Sequence, residues 1–101
     1  MPRLIDNEIA TLLEQSDEIA KQVRLENWPS VELLTENRQQ ALEEFFKNPV
    51  STQYAAAVEK MIRSILNTDH ELVEFITLEK NKTFNKFANL KNNDKAKQTY
   101  Q

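Results

Sequence analysis

Glycine is absent from this 101-residue chain. Primed hairpin turns, phosphate-cradling loops and dinucleotide-binding turns all need glycine, where φ is positive or where backbone must approach a ligand closely. With no glycine and three prolines, sandwiches, barrels, P-loops and Rossmann units are poorly supported. Helices joined by short polar links remain. A hydrophobic share of 40% and a charged share of 29% are enough for a modest core in one domain of this length.

The residue inventory narrows the chemistry. Cysteine is absent, so disulfides, thiolate metal sites and thiol nucleophiles are excluded. A single histidine, His70, cannot build a multi-histidine metal centre, and beside the apolar pattern it reads as a surface or boundary residue. No cofactor is expected. Nothing approaches the roughly 20 apolar residues of a membrane span, and acids interrupt the apolar pattern of MPRLIDNEIATLL, unlike a signal peptide. The expectation is a soluble, cytoplasmic protein. Charge is uneven: six lysines against Asp94 give residues 80–101 a net +5, which leaves −8 in residues 1–79 of a chain whose total is −3. Solvation explains the basic end more readily than nucleic-acid or acidic-partner binding.

Two breaks punctuate the chain. At Asn27-Trp28-Pro29-Ser30, asparagine suits an N-cap and proline a first helical turn. At Lys47-Asn48-Pro49-Val50-Ser51-Thr52, a pre-proline residue leaves the helical region and two hydroxyls can cap the next helix. Between the breaks the spacing predicts helices over 5–26, 28–46 and 52–90 with no strand. Ile5, Ile9, Leu12, Ser16, Ile19 and Val23 follow coiled-coil steps with one polar layer at Ser16. Val31, Leu34, Arg38, Ala41 and Phe45 do the same around Arg38. In the third segment a stripe of Tyr54, Val58, Met61, Ile62, Ile65, Leu66, Leu72, Val73, Ile76, Phe84, Phe87 and Leu90 includes Asp69 and Lys80. Asn67-Thr68-Asp69 is its weak point.

The fold class expected is therefore all-α: an antiparallel bundle of three helices, or four if the long third helix folds back. Residues 1–91 would form the domain and 92–101 a polar, basic tail, poorly ordered or weakly helical. Reflecting helix 1 onto helix 2 sets Ser16 and Asp17 opposite Arg38. Reflecting helix 2 onto helix 3 sets Arg38 near Met61 and Trp28 near Glu71, and puts Asp69 level with Arg24 and Trp28. Ser16, Arg38 and Asp69 read as structural polar positions, with Arg38 reaching Ser16 or Asp17. On this register helix 3 outruns its partners beyond about Leu72. Its apolar face would then await a partner helix bound by Leu72, Val73, Ile76, Lys80, Phe84 and Phe87.

No nucleophile–base pair stands out, and acidic pairs such as Glu43-Glu44 lie on a solvated face. The opening Arg3-Leu4-Ile5-Asp6 is similar to that of small helical enzymes of the chorismate-mutase type. Those enzymes bind a dicarboxylate with several inward cations, and here only Arg38 and Lys80 are candidates, with Ser16 at the centre of helix 1.

A stronger resemblance rests on the second and third helices. Glu26, Trp28, Val31, Leu34, Asn37-Arg38, Ala41-Leu42 and Phe45-Phe46, followed by Asp69, Leu72-Val73, Ile76, Lys80 and Phe84, resemble FliT-type flagellar export chaperones. In that family a tryptophan opening leads to spaced leucines and a Glu-Arg pair, then to an aspartate, paired aliphatics, a basic residue and a closing apolar position. The likeness spans roughly residues 9–90. It implies a non-enzymatic cytoplasmic chaperone that holds the C-terminal helical segment of the flagellar filament-cap protein before type III export, and that can deliver it to the export ATPase complex. Some relatives also restrain the flagellar master transcriptional regulator, and family members commonly carry a further C-terminal helix that competes with clients. Lys91 to Gln101, polar except for Ala96 and Tyr100, does not match it. The alternative is a self-associating coiled-coil subunit, a homodimer whose stripe is filled by its own copy.

Overall fold

A computed structural model describes the backbone of residues 3–100 and the side chains of residues 3–82. Three helices account for most of it: α1 (Ile5–Arg24), α2 (Trp28–Lys47) and α3 (Ala55–Tyr100). A short 3₁₀ turn, Thr52–Tyr54, leads into α3. No strand occurs among the described residues, so the fold is an all-α bundle.

The first link is built without glycine. The backbone N–H of Glu26 donates to Val23 O and that of Asn27 to Gln22 O, both at 3.0 Å, which is the Schellman pattern of helix closure. It requires a left-handed residue after the C-cap, and Glu26 takes that role with φ 56°. Asn27 precedes α2 as expected, but its side chain does not cap the helix. Its Nδ2 donates instead to Gln22 Oε1 at 3.1 Å. Ser51 likewise makes no side-chain cap, and its carbonyl accepts Tyr54 N–H at 3.0 Å to start the 3₁₀ turn.

α1 is the central helix, packing against both α2 and α3. Two apolar clusters stack along it. The lower one joins Ile5, Leu12, Phe45, Met61 and Ile65. The upper one joins Ile19, Val23 and Leu72, with Val31, Leu34, Phe75 and Ile76 against it. Between them lies a polar layer in which the residues Ser16 and Arg38 are buried.

The reflection of α2 onto α3 does not survive. Arg38 meets Asp69, not the level of Met61, and Asp69 is therefore not level with Arg24 and Trp28. The link after α2 is extended, with Asn48 at ψ 141° and Ser51 at ψ 143°. Extended residues advance about 3.3 Å each against about 1.5 Å in a helix. The chain thus runs past the end of α2 before α3 turns back, and α3 needs roughly two extra turns to draw level.

α3 is one helix through Asn67-Thr68-Asp69, so the fold-back into a fourth helix does not occur. It also continues past Leu90 to Tyr100, a stretch with neither glycine nor proline to stop it. Because Val23 and Ile76 share the upper cluster, α1 ends near the level of residue 77. The remainder of α3 projects for roughly 35 Å at helical rise, giving a molecule 78 × 24 × 19 Å.

Candidate functional site

The polar layer is the most specific side-chain geometry in the bundle. Arg38 projects from mid-α2 and its guanidinium grips Asp69 of α3 with two bonds of 2.8 Å, Nη1 to Oδ1 and Nη2 to Oδ2. Nη1 also donates to Ser16 Oγ at 3.1 Å. One side chain from each helix thus meets at one level, with Arg38 as the donor to both. Ser16 is the small residue that leaves room for the head group. Asp17, the other partner considered for Arg38, is exposed. The Asp69 side chain keeps 36% of its surface open while that of Arg38 keeps 10%, so the carboxylate forms the outer edge of the layer. A bidentate fork fixes both the distance and the angle between its partners, which suits a register pin between α2 and α3 better than a catalytic group.

The residues proposed for a partner divide. Leu72 is 5% exposed and packs with Ile19 and Val23, and Ile76 lies against the same cluster. Leu72 is therefore core, because α1 extends about two turns further along α3 than the reflection allowed. Val73 is 61% exposed and Lys80 is exposed. Phe84 and Phe87 lie outside the residues whose side chains are described.

A different open row emerges. Ile62, Leu66, Asp69 and Val73 follow one another at steps of 4, 3 and 4, the spacing of neighbours on one helix face. Leu66 and Val73 are each 61% exposed, and Ile62 is half-buried. At the lower end the row enters a cavity of about 640 Å³ lined by Phe46, Pro49, Val50, Ala55, Val58 and Ile62, among others. Phe46 is half-exposed at 51%, and the Glu59–Arg63 ion pair of 2.8 Å lies at the cavity rim. Sequence periodicity places Ile62, Leu66, Asp69 and Val73 in the broad stripe but does not single them out, because residues that turn inward share it. Only the position of α1 separates them.

Nothing among the described residues assembles a catalytic constellation. His70 Nε2 lies 3.2 Å from Glu74 Oε1 with both side chains mostly exposed, as a boundary histidine would be. Arg3, at the entrance of the chain, is committed to structure: Nε donates to Glu8 Oε2 at 2.8 Å, Nη1 to Asn48 O at 3.0 Å and Nη2 to Phe45 O. Its guanidinium carbon also sits 4.7 Å from the centroid of the Phe45 ring. Among the described residues no cluster of three or more acids and histidines is placed to hold a metal ion, and no helix is long and apolar enough to cross a membrane.

Fold and surface together define an all-α bundle whose exposed apolar surface includes a helix row beside a shallow cavity. The family model described as "Flagellar protein FliT" matches residues 6–101, and the chain belongs to that family of flagellar proteins. No curated protein matches it, and no solved structure does.

Proposed function

We propose that this chain is a non-enzymatic cytoplasmic export chaperone of the flagellum. Its client would be the filament-cap protein, held by its C-terminal helical segment before secretion and passed on to the export ATPase complex. Membership of the flagellar family supports the setting. The observation that carries the reading is the uncovered row on α3, with Leu66 and Val73 open beside the Phe46 cavity. Helix-in-groove recognition needs anchors at such spacings, and burying one large apolar anchor contributes about 1.5–3 kcal/mol. Lys80, two turns beyond Val73 and past the end of the row, would contact the client's outer end, and Phe84 and Phe87 would extend the contact along the projecting part of α3.

The test is calorimetric titration of the cap protein's C-terminal segment into the wild type, Leu66→Asp and Val73→Asp. Both variants should lose a micromolar complex while keeping the wild-type melting temperature to within a few degrees. Normal binding by both would remove the row from the site. Light scattering decides the rival reading: a stable dimer at low micromolar concentration, dissociated by Val73→Asp, would mean that the row is filled by a second copy.

A further inference from the structure

The open row is apolar except at its centre. Ile62 and Leu66 lie on one side and Val73 on the other, and between them stands Asp69, whose carboxylate is held by Arg38 and whose side chain is still 36% exposed. Each oxygen accepts one guanidinium bond, and a carboxylate oxygen has two acceptor positions. Asp69 therefore presents spare acceptor capacity in the middle of an apolar strip. An apolar residue laid over it would shut those acceptors away from water without a partner, a costly burial. An acid laid there would meet a like charge. The surroundings point the same way, since residues 1–79 carry a net −8 and the Arg38 cation at this level is already engaged with Asp69 and Ser16.

We propose that the helix received by this row is recognised by a cationic residue, arginine or lysine, opposite Asp69, between apolar turns that cover Leu66 and Val73. The inference rests on the docking role proposed for the row and adds its selectivity rule. A single polar position in an otherwise apolar seam sets register and partner choice at some cost in affinity. Asp69 fills that role toward the partner while its inner side pins α2 to α3. A cationic partner residue completes the shell of the carboxylate from outside as Arg38 does from inside, so a helix slid by one turn would set an apolar residue on the carboxylate.

The probes are three synthetic amphipathic peptides about three heptads long, identical except for arginine, leucine or glutamate at the central seam position. Their affinities for the full chain are read by fluorescence anisotropy. The arginine peptide should bind at least tenfold more tightly than either of the others. With Asp69→Asn the preference for arginine over glutamate should shrink to about twofold, and added salt should weaken the arginine peptide most. Equal binding of the three peptides, a leucine preference, or no binding by any of them overturns the proposal, as does an arginine preference that survives Asp69→Asn. Should Asp69→Asn unfold at the assay temperature, the ranking on the wild type decides alone. Failure of this rule is separable from failure of the docking role: Leu66→Asp and Val73→Asp abolishing the cap-segment complex, without a charge ranking among the peptides, would leave the row in place and remove Asp69 as its selector.

Discussion

Arg38 shows how one residue can be read correctly in kind and wrongly in place. A cation inside an apolar heptad pattern announces a polar layer, and Ser16 at the matching level of α1 follows from a tight first link. Asp69 does not follow, because the extended second link changes the level of α3 in a way that counting helical residues misses. The structure also changes the expected energetics. A solvated Arg38 head would make Arg38→Ala nearly neutral, or costly by about 1 kcal/mol at most, but the head is buried and makes three bonds. The two partners should differ when removed. Asp69→Asn leaves Arg38, whose side chain is 10% exposed, without its counter-charge, and should cost about 1–3 kcal/mol in urea unfolding. Arg38→Met keeps the apolar stem and leaves Asp69 on the side open to water, so it should cost less than Asp69→Asn. The reverse order would mean that the stem's packing outweighs the charge.

At the scale of an element, the absence of glycine was legible as helices, yet it also concealed a turn. The end of α1 needs a left-handed residue, and the chain supplies Glu26 at φ 56°. A β-carbon in that region costs about 1–2 kcal/mol, which glycine avoids. Glu26→Gly should therefore raise stability by about 0.5–1 kcal/mol, net of the greater freedom glycine gives the unfolded chain. Thermal melts would show it as a rise of a few degrees in Tm; an unchanged or lowered Tm would indicate that the side chain of Glu26 has a compensating contact. The other end of α2 is closed from a distance. Arg3 reaches the carbonyls of Phe45 and Asn48, groups that a helix C-terminus leaves unpaired. No local pattern announces a bond between residues more than forty apart in sequence, so Arg3 was legible only as part of an opening motif. Arg3→Ala should destabilise by about 1–2 kcal/mol and raise amide exchange most over residues 45–50, while leaving the first link unchanged.

For the whole molecule, the decisive quantity is the level at which α3 leaves its partners. The all-α class, the lengths of the first two helices and a projecting third helix could all be read from period and punctuation. The departure level could not, because it depends on two links whose shapes differ: a Schellman turn that reverses the chain at once, and an extended link that overshoots. Placing it too low made Leu72 look open, whereas α1 covers it and leaves its neighbour bare. Leu72 and Val73 are consecutive, similar in character and opposite in environment, at 5% and 61% exposure. Leu72→Ala should cost about 2–4 kcal/mol, because it opens a cavity against Ile19 and Val23. Val73→Ala should stay within about 0.5 kcal/mol, as surface substitutions do. Chemical denaturation of the two variants measures both, and titration of the cap segment supplies the second axis. Val73→Ala should weaken the complex by the loss of a partner-facing anchor while the fold is untouched. Leu72→Ala should weaken it only insofar as the folded fraction falls, so that its affinity recovers at lower temperature. If instead Leu72→Ala loses affinity while fully folded and Val73→Ala does not, the inward face is the one that meets the client. In that case α1 must move aside when the client binds.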